Sequence, residues 1–276
     1  MAISNLRGRR VFITGAGSGI GEATALAFAR EGCEMFVSDL SLPSLHRLER
    51  SVSAEGVGCH CFALDVTDQI AFEALAEHIT QDFGVPHIVI NNAGIGAHGS
   101  FINTPLDVVK RVVEVNLFGV YSGCRSFLPA MLDSPDTCHL VNLASVASIA
   151  PMPNMSAYAA SKYAVDGLTE VLAFELADTN VGVTCVHPGL INTPIVNVKS
   201  FNGESGDAQT RRLSEYYNAY GSEPTVVAQG IVNAVQEGRL HLWVGRQASV
   251  TEKLKRLSPR LLRRLALRKA REIGYA

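Results

Sequence analysis

Every apolar stretch in this sequence is broken by Gly, Asn, Ser or a charge well before the ~18 residues needed to cross a bilayer, so no membrane span is expected. Arg7, Arg9 and Arg10 precede an apolar VFIT, but that run is too short for a signal-peptide core and ends in glycines. Secretion is not expected. There is no CxxC pair and no dense cysteine framework. Cys33, Cys59, Cys61, Cys124, Cys138 and Cys185 lie scattered, as small buried thiols do in a reducing compartment. The eight histidines supply neither HExxH nor a Cys/His cluster at ligand spacing, and no catalytic metal is expected. Charge of one sign is lacking too, because a net charge of −2 gives nucleic acid no global attraction. With 18% charged and 47% hydrophobic residues, the chain is too apolar for disorder. A cytoplasmic, globular protein is the expectation, and one parallel α/β domain can absorb all 276 residues.

What the chain does contain is an alternation. Short apolar or β-branched runs occur at 10–14, 35–39, 59–65, 87–92, 138–143, 181–188 and 240–245, which makes seven strand candidates. Helix-length segments lie between them at 19–30, 42–54, 68–82, 105–131, 158–177 and 224–237. This order predicts right-handed βαβ crossovers and a parallel sheet covered on both faces. Two segments depart from the rhythm. Residues 195–222 form a long polar insertion of the kind that often acts as a lid. Residues 251–276 carry nine Lys or Arg against two Glu.

The first strand runs into Thr14-Gly15-Ala16-Gly17-Ser18-Gly19-Ile20-Gly21, and a helical pattern follows at once. Glycines permit positive φ and close backbone approach, and a helix N-terminus favours a pyrophosphate. The spacing differs from GxGxxG, and the lysine of a nucleotide-triphosphate loop is missing. Asp39 ends the second strand near the offset at which a carboxylate can accept hydrogen bonds from an adenosine ribose. It would repel a 2′-phosphate, and neither Ser18 nor Leu40 offers a compensating cation, so NAD is favoured over NADP. The alternative for Asp39 is a solvated strand-end cap.

Tyr158 and Lys162 stand four residues apart at the start of a helical segment, on one face. Bringing a phenol from pH 10 toward neutrality takes about 4 kcal/mol of preferential phenolate stabilisation, to which a nearby ammonium contributes. Such a tyrosine suits proton exchange with an alcohol or carbonyl oxygen. Ser145 follows the strand containing LVNL and can aim its hydroxyl into the crevice at the strand's carboxyl end; it can equally be a capping serine. Asn116 is a polar residue in an otherwise apolar helical stretch, VVEVNLFGV.

Taken together, TGAGSGIG at 14–21, NNAG at 91–94, Asn116, Ser145, YAASK at 158–162 and PGLINTP at 188–194 resemble the short-chain dehydrogenase/reductase family over about residues 6–245. The resemblance implies a single Rossmann-like, doubly wound domain with seven parallel strands. It implies a catalytic tetrad of Asn116, Ser145, Tyr158 and Lys162, with Tyr158 as acid-base and Ser145 orienting the reacting oxygen. Lys162 would contact the nicotinamide ribose and lower the tyrosine pKa, and Asn116 would position a water leading from Lys162 to solvent. By the same carry-over Gly15, Ser18 and Ile20 surround the phosphates, Asp39 binds ribose, and Asp65 with Val66 flanks adenine. Asn92, Ala93 and Gly94 line the cofactor cleft, and Pro188, Gly189, Ile191 and Thr193 form the nicotinamide-side loop. His187 lies outside the family pattern and is read as structural.

The expected activity is NAD-dependent interconversion of a secondary alcohol and a ketone. Ile195, Val196, Val198, Phe201, Tyr216, Tyr217 and Tyr220 can close an apolar pocket around a bulky substrate, or can simply pack the lid. In the tail, leucines alternate with arginines as in one basic amphipathic helix extending a catalytic domain of residues 1–250. That helix can touch anionic lipid or pack on its own domain or a neighbouring subunit. A homodimer or homotetramer built on the segments 105–131 and 158–177 is implied by the resemblance. A membrane-surface lipid, steroid or retinoid dehydrogenase and a non-catalytic NAD sensor stay open as alternatives.

Overall fold

All seven apolar runs form strands: β1 Arg10–Thr14, β2 Glu34–Asp39, β3 Cys59–Ala63, β4 Ile88–Asn91, β5 Cys138–Leu143, β6 Val181–Pro188 and β7 His241–Val244. In this computed structural model, which describes residues 1–197 and 200–275, they join in one sheet ordered β3-β2-β1-β4-β5-β6-β7. Every pairing is parallel. β4, β5 and β6 are buried along their whole length, as parallel strands covered on both faces must be.

Amphipathic helices cover the two faces. α1 (Gly19–Arg30), α2 (Leu42–Ser53) and α8 (Pro224–Glu237) bury Phe28, Leu45, Leu48, Ile231 and Val235 on one side. On the other, α3 (Gln69–Asp82), α5 (Gly119–Asp133) and α6 (Ser156–Glu175) contribute Phe72, Ile79, Phe127, Val165 and Leu172. Phe127 and Phe12 sit 4.8 Å apart between ring centroids in that second core. Truncating either to Ala would cost about 3–5 kcal/mol through lost burial and a residual cavity.

Three expected boundaries change. The helix anticipated over 105–131 is α4 (Leu106–Val113), then a π-helical turn at Glu114–Phe118, then α5. Asn116 accounts for the break. Its amide oxygen accepts from the Ile95 N–H at 2.8 Å and its amide nitrogen donates to the Ile95 carbonyl at 3.0 Å, which binds this turn to the loop after β4. The polar insertion 195–222 is mostly helical, with a 3-10 turn at Pro194–Val196 and α7 at Gly203–Tyr220. The tail holds two helices where one was anticipated, α9 (Ala248–Leu257) and α10 (Pro259–Glu272), and the expected boundary at residue 250 falls inside α9. Pro259 cannot continue α9, and Ser258 caps α10 by accepting from the Leu261 N–H at 3.3 Å.

The strand order places the site. From β1 the chain moves outward through β2 and β3, then returns to the other side of β1 as β4. Connections therefore diverge between β1 and β4, leaving a crevice at their carboxyl ends.

Candidate active site

The glycine turn occupies that crevice. Gly15 (φ 65°) and Gly19 (φ 58°) adopt left-handed backbone, and a Cβ on Gly15 would stand 2.8 Å from the Ala93 Cα. Asn92 holds the turn by donating from Nδ2 to the carbonyls of Thr14 (2.9 Å) and Gly15 (3.0 Å). Thr14 Oγ1 accepts from the Asn92 and Ala93 N–H groups at 3.0 and 3.1 Å, so NNAG and TGAGSGIG are two halves of one scaffold. Ser18 stands at the N-cap of α1 in extended conformation but makes no side-chain cap, which leaves first-turn N–H groups for an anion.

Asp39 caps the strand end and faces the cavity. Its carboxylate accepts from the Gly17 N–H at 2.9 Å and the Ser41 N–H at 3.0 Å. Asp65 accepts from the Thr67 N–H and hydroxyl at 3.0 and 2.7 Å and from Arg111 at 3.0 Å. Burial opposes its ionisation, but these hydrogen bonds and the guanidinium outweigh it and hold the carboxyl below its ordinary range. Arg111 was not recognised in the sequence. It sits in the last turn of α4 with no motif around it, and only the fold brings it to the cavity.

Three residues of the expected tetrad, Ser145, Tyr158 and Lys162, face the crevice from its other side. Ser145 lies just past β5 and caps the 3-10 turn Val146–Ser148 by accepting from the Ala147 N–H at 3.1 Å. Tyr158 and Lys162 share a face of α6, with the ammonium 5.8 Å from the phenol ring centroid. Lys162 Nζ donates to the Leu143 carbonyl at 2.6 Å. Asn116, fully buried, also donates to Ser161 Oγ at 3.1 Å. Electrostatics differ from the expectation of a lowered phenol. Burial raises the Tyr158 pKa, with a hydrogen bond to Ser145 opposing it, and burial lowers Lys162 from 10.5 to about 8. Both shifts have one cause: each group's charged form has lost water.

A single cavity of about 490 Å³ connects these parts. Each expected cofactor residue, Gly15, Ser18, Ile20, Asp39, Asp65, Val66, Asn92, Ala93, Gly94, Pro188, Gly189, Ile191 and Thr193, lines it, and so do Ser145, Tyr158 and Lys162. Asn116 stands behind the wall, its Oδ1 3.3 Å from where a Cβ on Gly94 would lie.

The far end is apolar, with Ala150, Met152, Met155, Val196, Leu213 and Tyr217 around His98. Of the seven residues anticipated for this pocket, Ile195, Val196 and Tyr217 line it. Phe201 instead packs on Ala97, Val112 and Ala157. Tyr216 meets Tyr220 at a tilt with ring centroids 5.0 Å apart, and Tyr220 is half exposed beneath Arg246. Val198 lies outside the described residues. Behind Leu213 and Tyr217 sits the tail: Tyr275, Ala270 and Ile273 pack against them and Met152, and Asn154 Nδ2 donates to the Tyr275 carbonyl at 3.1 Å. Tyr275 was missed because nothing local marks a penultimate tyrosine as buried.

Comparison with known proteins identifies the family. The sequence model of the short chain dehydrogenase family matches residues 9–203. The chain belongs to that family. "Probable oxidoreductase EphD" of Mycobacterium tuberculosis is 38% identical over 261 residues, which are 93% of this chain and 44% of that protein. The chain thus spans under half the length of that curated relative. The 3beta-hydroxysteroid dehydrogenase 1 of Eggerthella lenta is 34% identical over 210 residues, 76% of this chain and 80% of its own. Cyclohexanol dehydrogenase of an Acinetobacter species is 36% identical over 185 residues, 67% of this chain and 73% of its own. Among solved structures, a short chain dehydrogenase/reductase from Burkholderia phymatum in complex with NAD superposes with a TM-score of 0.81 at 32% identity, covering 87% of this chain and 90% of that one. Among the described residues, no helix is long and apolar enough to cross a membrane.

Proposed function

We propose that this short chain dehydrogenase interconverts a bulky, hydrophobic secondary alcohol and its ketone with NAD. The carrying observation is the continuity of the cavity from the glycine turn and Asp39, past Tyr158, to the apolar end at Leu213.

The residues present fit the dinucleotide. An uncapped helix start awaits an anion, a glycine cradle has no room for side chains, and a carboxylate stands at the second strand's end. Lys162 and Arg111 are the cations among the described lining residues, and Arg111 is paired with Asp65, which leaves it less free to offset Asp39 against a 2′-phosphate. NAD, when bound, accepts or returns the hydride. The chain's own part is proton handling and alignment. Ser145 orients the substrate oxygen, Tyr158 exchanges its proton at the phenolic oxygen, and Lys162 places a positive charge beside the phenolate. Two relatives are named for alcohols borne on six-membered rings, which supports a cyclic secondary alcohol for this apolar end.

A screen of secondary alcohols with NAD and with NADP, followed by the near-ultraviolet absorbance of the reduced coenzyme, tests the reading. Turnover with NAD supports it. Preference for NADP, or tight NAD binding with no turnover across a broad panel, overturns it and leaves the sensor. A second reading has its own observation. α10 turns Leu262 and Ala270 inward, while Leu257, Leu261 and Leu265 stay exposed among arginines. Co-sedimentation with anionic vesicles, with and without residues 251–276, separates a membrane-surface dehydrogenase from a cytoplasmic one. Exposed Phe118, Tyr121, Val171 and Phe174 on the π turn, α5 and α6 support a homo-oligomer built on these helices.

A further inference from the structure

One cluster of chemically reactive side chains lies outside the cavity. Asp166 and Cys185, with His187 and His241, bring one donor atom each to within 4.8 Å of all the others. Asp166 belongs to α6, Cys185 and His187 to β6, and His241 to β7. His187 Nε2 is 3.2 Å from His241 Nδ1 and 3.5 Å from Asp166 Oδ1, and Cys185 Sγ is 3.5 Å from that same oxygen. A tetrahedral ion bound at about 2.0–2.3 Å needs donors roughly 3.3–3.8 Å apart.

The outer hydrogen bonds fix which atoms face inward. His241 Nε2 donates to Glu170 Oε1 at 2.7 Å, which leaves Nδ1 with a lone pair. Ser148 Oγ donates to the Ser145 carbonyl at 2.7 Å, so its oxygen accepts from His187 Nδ1 at 3.2 Å and leaves Nε2 with a lone pair. Two imidazole lone pairs and a carboxylate oxygen therefore converge with one thiol proton among them. This is the arrangement that metal-binding histidines take, with the outer N–H tied to a carboxylate or hydroxyl.

We propose that Asp166, Cys185, His187 and His241 bind a divalent transition ion, with Zn²⁺ the best match to one thiolate, two imidazoles and one carboxylate. Binding takes up the dication and releases the Cys185 thiol proton to solvent. The metal, thiolate and carboxylate then sum to zero charge, which suits a site where Cys185 and His187 are fully buried. Entry is from the side of Asp166 and His241, whose side chains remain 22% and 28% exposed. Four protein ligands close the shell, so the ion is structural. It would tie α6 to β6 and β7 along the face where Tyr158, Lys162, Asp166 and Glu170 follow one another every fourth residue. Its ligands come from three separated places in the chain, α6, β6 and β7, so no spacing motif announces them.

The test uses the full chain, stripped by dialysis against a chelator and titrated with Co²⁺ or Zn²⁺ alone. Expected are about one metal per chain, visible Co²⁺ d–d bands of tetrahedral intensity and a thiolate-to-cobalt charge-transfer band. Trp243, the chain's single tryptophan, stacks on His187 at 3.7 Å, so Co²⁺ should also quench its emission. Glu170→Gln, which spares every ligand, should weaken binding roughly 10- to 100-fold, and His241→Gln should remove the tetrahedral spectrum. A purely hydrogen-bonded cluster would show no stoichiometric metal, or metal content unchanged in both variants, and either result overturns the proposal.

Discussion

The two ends of the cavity are built by different means. The cofactor end is assembled from strand termini and the turns that follow them, so its residues occupy short contiguous motifs whose backbone is fixed by hydrogen bonds such as those from Asn92 to Thr14 and Gly15. The substrate end draws single side chains from the loop after β4, the 3-10 turn, α7 and, behind them, the tail. The first end is positioned by main chain and the second by side-chain packing. Changes at the cofactor end should therefore alter chemistry steeply, and changes at the substrate end should alter affinity and stability by degrees.

The sharpest way to break this contrast is Tyr158→Phe. It removes one oxygen at the junction and leaves the glycine cradle and Asp39 in place, so turnover should fall by roughly 10²- to 10⁴-fold with NAD affinity little changed by calorimetry. Near-normal turnover would end the proposed mechanism. Asp39→Asn comes next. Losing the charge should lower kcat/KM with NAD roughly 10- to 100-fold and narrow the gap to NADP. An unchanged coenzyme ratio would reduce Asp39 to its role as a strand-end cap on Gly17 and Ser41.

The same contrast explains what could be read from the sequence. Seven strands, the glycine turn, NNAG and Tyr158 with Lys162 are local patterns whose physics acts within a few residues. The π turn at Asn116 was not legible, since it depends on a bond to Ile95, 21 residues away. Arg111, His98 and Tyr275 were not legible either, because their importance arises from tertiary placement alone. The break at Ser258-Pro259 was different: a capping serine before proline is a local stop-and-start signal, and the leucine-arginine periodicity obscured it.

Acid should loosen the substrate end together with the amino ends of β4 and β5, away from the glycine turn. Burial pushes His87, His98 and His139 each down to about 4, whereas in the unfolded chain they titrate near 6.5. With folded values depressed, unfolding takes up protons once the pH falls below about 6.5, so stability is fully present above that value and declines from there toward about 4. Chemical denaturation at pH 7.5, 6 and 5 should show this decline. His98→Asn should flatten it in part, because it removes the substrate-end contribution alone.

Removing residues 259–276 takes away the packing behind Leu213 and Tyr217 without touching the glycine turn. KM for bulky alcohols should rise about fivefold, equivalent to about 1 kcal/mol of lost apolar contact, with coenzyme KM unchanged. Equal effects on both constants would show that the two ends are not mechanically separate.

The smallest expected effect is also the most specific. Tyr275 is 1% exposed, and among the described residues its hydroxyl has no hydrogen-bond partner. Its ring meets His98 edge to face at 5.7 Å. Burial pushes the phenol's pKa upward, so the group stays neutral and bears the desolvation of an O–H without recompense. Tyr275→Phe keeps the ring and its contacts with Leu213 and His98 and deletes the stranded hydroxyl. Stability should rise by up to about 1 kcal/mol in urea unfolding. A loss of similar size would mean that the hydroxyl is satisfied in solution, and that the tail is held by polar contacts where the structure shows apolar ones.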